Sequence, residues 1–185
     1  FDIPVDTLIA KPILISDIKE RVNGEGLVFV SPDAGGTERA RSYAKEFDTE
    51  IAVIDKRRPE PGASQVMNVV GDVEGRECII VDDICDSGGT LANAASALLE
   101  NGATKVKAYC THGVLTASAD DKINDSALSE VVVTDSIRLD RRLEIENLRY
   151  VSIAPLMARA IVNVHNEESV SNLLFEDNWE FPVWR

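Results

Sequence analysis

The feature that most limits the fold of this chain is a repeated alternation. Short apolar runs are each followed by a turn and then by residues at helical spacing. Leu27-Val28-Phe29-Val30 is one such run; it breaks at Ser31-Pro32-Asp33-Ala34-Gly35-Gly36, and helical spacing follows as far as Phe47. Ile51-Ala52-Val53-Ile54 is a second buried run, and residues 55–64, with Pro59, Pro61 and Gly62, read as a loop. Residues 66–73 and 78–81 read as strands. Leu91, Ala94, Ala95, Leu98 and Leu99 then fall at helical spacing and stop at Asn101-Gly102, a helix C-cap signal. Residues 106–110, 130–133 and 148–153 read as further strands, and residues 155–165 as a helix. Continuously apolar strands must be covered on both faces. The pattern therefore predicts βαβ units: an α/β, doubly wound, mostly parallel sheet with helices on both faces.

Composition narrows the class. The chain has 185 residues, enough for one ordinary domain with a real core, and is 44% apolar and 28% charged, which is globular rather than disordered. Its 32 acidic and 19 basic residues give a net charge of −13, so it is not expected to bind nucleic acid, which needs a basic face. No apolar run is long enough for a membrane span, and no signal-peptide pattern opens the chain. Cys78, Cys85 and Cys110 are odd in number and widely spaced, as expected of buried thiols in a reducing cytoplasm. The first residue, Phe1, is not an initiator Met, and the chain reads as part of something longer.

In an open α/β sheet, ligands bind outside the carboxyl ends of the strands, so the loops there carry the chemistry. The most informative is Asp82-Asp83-Ile84-Cys85-Asp86-Ser87-Gly88-Gly89-Thr90, which leads into a helix. Two glycines let backbone amides approach an anion, Ser87 and Thr90 add hydroxyls, and the helix N-terminus adds partial positive charge. The run lacks the Gly-Lys-Ser/Thr ending of a nucleotide P-loop. Asp82 and Asp83 suit sugar hydroxyls or a hydrated Mg²⁺, so the loop reads as a sugar-phosphate cradle in which a bulky residue at Gly89 should occlude the phosphate. In a second loop, Ser31 to Thr37, Asp33 could reach a metal and Gly35 and Gly36 could offer amides to a second phosphate group. By itself that loop is equally consistent with a plain strand–turn–helix junction. A third segment, Asp55-Lys56-Arg57-Arg58, is the one dense basic cluster of an acidic chain. It reads either as a solvated charge run or as cations that close over transferring phosphates.

The Asp-Asp-x-x-Asp-Ser-Gly-Gly-Thr loop resembles the phosphoribosyl pyrophosphate motif of type I phosphoribosyltransferases. Ser-Pro-Asp-Ala-Gly-Gly at 31–36, Ile-Asp-Lys-Arg-Arg-Pro at 54–59, Val-Met-Asn-Val-Val-Gly-Asp-Val at 66–73 and His-Asn-Glu-Glu-Ser-Val-Ser at 165–171 narrow the resemblance to the ribose-phosphate pyrophosphokinase family. The likeness runs over residues 1–175 and resembles the C-terminal half of that family; residues 176–185, with Trp179, Phe181 and Trp184, form a tail beyond it.

The resemblance implies a Mg²⁺-dependent, cytoplasmic enzyme. It would transfer pyrophosphate from ATP to the 1-hydroxyl of ribose 5-phosphate, and the full-length form would be a homo-oligomer, a hexamer built from dimers. It implies that Asp82, Asp86, Ser87, Gly88, Gly89 and Thr90 hold ribose 5-phosphate, with Ser87 where the family usually has Thr. Lys56 and Arg58 would be the catalytic pair, Arg58 also touching the sugar phosphate. Asp33 would be the metal ligand of a pyrophosphate loop completed by Ala34, Gly35 and Gly36. It gives neither Asp83 nor Arg57 a direct role. Most ATP contacts would lie on the other half, so this part alone is expected to be inactive. Two other readings remain: a non-catalytic regulatory homologue, and a phosphoribosyltransferase. His112 and His165 lack partners at metal-ligand spacing and are expected in hydrogen-bonding or core roles.

Overall fold

Strands rich in Val, Ile and Ala build one seven-stranded sheet in the order β3-β2-β1-β4-β5-β6-β7. The strands are β1 (Leu27–Ser31), β2 (Ile51–Arg57), β3 (Val66–Val70), β4 (Glu77–Cys85), β5 (Lys105–Gly113), β6 (Glu130–Thr134) and β7 (Leu148–Val151). This computed structural model describes residues 1–22, 26–57, 66–139 and 142–174. All neighbouring strands pair in parallel except β2 and β3, which are antiparallel. The helices are α1 (Lys11–Arg21), α2 (Thr37–Ala44), α3 (Gly89–Glu100), α4 (Ala119–Asn124) and α5 (Ala154–His165).

Because side chains alternate across a strand, the central strands feed two cores. Val28, Val30 and Ile80 pack with Leu91, Ala94, Ala95 and Leu98 of α3 on one face. Leu27, Phe29, Ile79 and Val81 pack on the other face with Leu14, Ile15 and Ile18 of α1 and Ala40, Tyr43 and Ala44 of α2. The doubly wound α/β arrangement expected from the alternation is thus the observed one. Cys78, Cys85 and Cys110 are all buried and unpaired, as expected.

Three local readings differ from the structure. Residues 55–57, expected in a loop, continue β2, because Asp55, Lys56 and Arg57 pair with Asn68, Met67 and Val66 of β3. β4 runs on through Cys85 and β5 through Gly113, because the two strands support each other over Ile84↔His112 and Cys85↔Gly113. Two helices also escaped the sequence reading. α1 begins with Pro12 in its first turn, where the missing amide costs nothing. It is fastened by Asp17, whose carboxylate accepts two hydrogen bonds from Arg149 at 2.7 Å and one from the Tyr109 hydroxyl at 3.0 Å. The other missed helix is α4, only six residues long.

Candidate functional site

Of the three neighbouring strands β2, β1 and β4, the middle one is the shortest. β1 stops at Ser31, which pairs with Val53, while β2 continues through residues 54–57. On the other side, β4 continues through residues 81–85 past the Val30↔Ile80 pair. At 3.3 Å per residue these overhangs rise roughly 13 Å above the end of β1. The β1–α2 loop is therefore the floor of a notch with a strand wall on each side. The chain order also reverses here: β2 follows β1 on one side and β4 enters on the other, with α2 and α3 on opposite faces. That is the topological switch point at which open α/β sheets bind ligands.

The floor is a tight turn. Ser31 Oγ donates to the Asp33 carbonyl at 2.6 Å, the Gly36 amide to Asp33 Oδ1 at 3.0 Å, and Thr37 Oγ1 to the Ala34 carbonyl at 2.8 Å. A Cβ on Gly36 would stand 2.6 Å from Ser31 Oγ, so a side chain there would push the Ser31 hydroxyl off the Asp33 carbonyl. The Gly36 amide, expected to face a phosphate, is thus engaged with Asp33. The Asp33 carboxylate itself is exposed, and its Oδ2 accepts no hydrogen bond from the described residues.

The wall carries Asp82 and Asp83, which lie on β4 rather than in the loop after it. Arg39, from the first turn of α2, forks across to both: Nη1 is 2.7 Å from Asp82 Oδ1 and Nη2 is 2.9 Å from Asp83 Oδ2. The Asp83 amide also donates to Asp82 Oδ1 at 2.9 Å. Burial pushes the Asp82 carboxyl up, and the neighbouring Asp83 carboxyl adds to this against the pull of Arg39. Partial burial pushes Asp83 up as well, but its hydrogen bond with Asp82 and the Arg39 charge outweigh that and hold it below the usual range. The pair therefore takes up protons as a unit, Asp82 before Asp83. Sequence reasoning missed Arg39, which lies 43 residues from Asp82. One trace was available: a cation in the first turn of a helix sits against the dipole, which favours anions there, and so calls for a partner.

Beyond β4 the chain turns through Asp86, Ser87 and Gly88 into α3. Gly88 is the N-cap, at φ +74°, and a Cβ on it would lie 2.7 Å from Ile123 Cγ1 of α4. The conformational demand thus falls on Gly88. At Gly89 nothing lies closer to a Cβ than 3.7 Å, and its φ is not positive, so intolerance there depends on a bound phosphate and not on the protein's own packing. The amides of Gly89 and Thr90 open α3 and have no intrahelical acceptor. Ser87 Oγ is the atom 3.7 Å from the Gly89 Cβ position. Cys85 lies buried beneath the loop; burial pushes its thiol up to about 11, helped by Asp82 and Asp86 and opposed by the Gly88 amide. It is a packing residue.

The backbone of Lys56 stands on the β2 overhang, opposite Met67. Its side chain, all of Arg58 and the tail at 176–185 lie outside the described residues. His112 Nδ1 shares a 2.8 Å hydrogen bond with Ser136 Oγ. Among the described residues no group of three or more His, Cys, Asp or Glu side chains is gathered to hold a metal. Mg²⁺ is commonly held by one or two carboxylates together with substrate phosphates and waters, and the exposed Asp33 carboxylate on the notch floor fits that limited demand. No helix among the described residues is long and apolar enough to cross a membrane.

The model of the phosphoribosyl synthetase-associated domain matches residues 56–175. The chain belongs to the phosphoribosyl synthetase family. A ribose-phosphate pyrophosphokinase of Hyphomonas neptunium is 54% identical over 175 residues, covering 94% of this chain and 56% of the relative. The crystal structure of phosphoribosylpyrophosphate synthetase from Mycobacterium smegmatis superposes with a TM-score of 0.79 at 39% identity, over 90% of this chain and 54% of that one. The chain thus spans about half the length of these synthetases. An adenine phosphoribosyl transferase from Trypanosoma brucei, solved with AMP, pyrophosphate and ribose-5-phosphate, aligns at 17% identity with a TM-score of 0.55 over 74% of this chain and 67% of its own. It shares the fold. Membership of the synthetase family accords with the resemblance carried by the motifs at 31–36, 54–59 and 82–90.

Proposed function

We propose that this chain is the part of a ribose-phosphate pyrophosphokinase that holds ribose 5-phosphate and supplies the catalytic cations. The observation that carries the proposal is the position of the Asp82–Thr90 run, which opens onto the notch at the topological switch point with the Asp33 turn as its floor. The phosphate end of the sugar sits on Ser87, Gly88, Gly89 and Thr90, where the first amides of α3 face it. Asp82 and Asp86 accept hydrogen bonds from ribose hydroxyls. The carboxylate of Asp33 would hold Mg²⁺, with Ala34, Gly35 and Gly36 completing the pyrophosphate turn; the ion, when bound, would offset phosphate charge. Lys56 and Arg58 are the catalytic cations; the backbone of Lys56 belongs to the β2 wall.

The ribose 1-hydroxyl oxygen attacks the β-phosphorus of ATP, and the bond from that phosphorus to the α,β-bridging oxygen breaks. AMP leaves, the hydroxyl proton is lost, and phosphoribosyl pyrophosphate forms. Such a transfer asks the protein for alignment and charge compensation, the work assigned to Lys56 and Arg58. The enzyme works in the cytoplasm. It assembles as a homo-oligomer, a reading supported by exposed apolar Met157, Ile161 and Val164 along one side of α5. Since the chain spans about half the length of its relatives, on its own it binds ribose 5-phosphate without releasing AMP.

The test is AMP release from ATP and ribose 5-phosphate by the complete enzyme containing this chain. Lys56→Ala lowers turnover by roughly 10²–10⁵-fold and leaves ribose 5-phosphate affinity within a few-fold. Turnover within tenfold of the unmodified enzyme would remove Lys56 from the mechanism.

A further inference from the structure

The sugar-phosphate loop brings carboxylates to the site and no cation of its own: Asp82, Asp83 and Asp86 stand in it without a basic residue. The nearby Arg39 guanidinium is already committed to Asp82 and Asp83. An arriving phosphate dianion therefore meets three carboxylates, the field of a chain with net charge −13, and the end of α3, worth about half a positive charge. Among the described residues of the loop itself, and apart from the Lys56 and Arg58 assigned to the transfer step, nothing further offsets that charge.

The structure supplies a cation from a different element. The connection from β5 to α4 is bound to the end of β4: the Val114 and Leu115 amides donate to the Cys85 carbonyl at 2.9 and 3.1 Å, and the Thr116 amide to the Asp86 carbonyl at 3.0 Å. Ile123 of α4 is fully buried against Gly88. The residue before it, Lys122, extends over the next glycine: its Nζ is 3.9 Å, and its Cδ 3.8 Å, from where a Cβ on Gly89 would stand. Ser87 Oγ is 3.7 Å from the same point. The space left by the missing Gly89 side chain is thus bordered by an ammonium and a hydroxyl at the first amides of a twelve-residue helix. Lys122 is exposed, and no carboxylate of the described residues lies within ion-pair distance of its Nζ.

We propose that Lys122 is the phosphate-binding cation of this site. Its ammonium pairs with the 5-phosphate of the sugar held by residues 86–90, and this charge makes the loop prefer a sugar phosphate to a free sugar. The inference rests on the ribose 5-phosphate reading above and adds the residue that recognises the phosphate. A lysine suits the task, because a point charge on a flexible stem follows the phosphate without demanding a planar match.

The experiment is titration calorimetry on this chain with ribose 5-phosphate, ribose and inorganic phosphate, each at low and at moderate salt. The proteins are the unmodified chain, Lys122→Ala, Lys122→Arg and the remote control Lys45→Ala, with circular dichroism to confirm the fold. Lys122→Ala is expected to weaken ribose 5-phosphate about tenfold, leave ribose unchanged and flatten the salt dependence. Lys122→Arg stays near the unmodified affinity, and Lys45→Ala changes nothing. Equal affinity in Lys122→Ala and the unmodified chain overturns the assignment while the cradle stands. An equal loss in Lys45→Ala also overturns it, since the effect would then be net charge and not a local contact. An unmodified chain that binds ribose as tightly as ribose 5-phosphate refutes the preference for the phosphorylated sugar. One that binds no ribose 5-phosphate refutes the cradle and the proposal together.

Discussion

Replacing Gly88 by Ala tests the geometry of the site most directly. Two separate costs apply. At φ +74° an L side chain occupies the left-handed region, at about 1–2 kcal/mol. The new Cβ would also stand 2.7 Å from Ile123 Cγ1 and 3.1 Å from its Cδ1. Ile123 is fully buried and cannot swing into solvent. Forcing one carbon into such a space costs about 1–3 kcal/mol, so the expected total is about 2–5 kcal/mol out of a typical stability of roughly 5–15 kcal/mol. Gly75→Ala is the internal reference: its φ is +70°, and nothing lies within 4 Å of a Cβ there, so it carries the backbone cost alone. Urea unfolding of the two variants isolates the packing part as their difference. The double variant Gly88→Ala/Ile123→Ala recovers that part as a coupling energy. Because α4 must move to admit the methyl group, ribose 5-phosphate affinity should fall in Gly88→Ala and stay unchanged in Gly75→Ala. If the two variants unfold within 0.5 kcal/mol of each other, a difference near the resolution of such comparisons, the contact between α4 and the loop is not as described and the argument fails.

Three further outcomes follow from the same structure. Arg39→Ala leaves Asp82 and Asp83 adjacent without their cation, at roughly 1–3 kcal/mol near neutral pH; both carboxyls should titrate higher by NMR, and the penalty should fade as pH drops and they protonate. Burial holds the Cys85 and Cys78 thiols at about 11 and about 12, above their ordinary 9.0. They should resist thiol reagents at pH 8 until the chain is unfolded, and the stability that goes with their protonated form should be intact below pH 9 and decline as pH rises through 11 and 12. Asp17→Asn breaks the paired bonds from Arg149 that fasten α1 to the sheet and should cost roughly 3 kcal/mol in urea unfolding; a loss below 0.5 kcal/mol would show the network to be dispensable.

The constraints written into the amino-acid order are local. Short apolar runs bounded by turn residues, such as Leu27 to Val30 ahead of Pro32 and Gly35, read as strands covered on both faces, because each residue along them needs burial whichever way it points. A run of hydroxyls and glycines between such a strand and a helix, following two carboxylates as at 82–90, brings helix-opening amides to where an anion can reach them. Those constraints act within a few residues, so the α/β class and the loop at 82–90 were legible before any coordinates. The tertiary structure decided what depends on distant partners. β2 and β4 outlast β1 because β3 and β5 supply their missing hydrogen bonds, and this makes the notch. Arg39 reaches Asp82 across 43 residues of chain because α2 lies above the end of β4. Gly88 rather than Gly89 bears the steric demand because Ile123 comes to rest against it, and the same seat brings Lys122 over the loop. Strand length, charge pairing and the packing of α4 are set by contacts between segments far apart in the chain. The periodicity of any one segment carries no record of them.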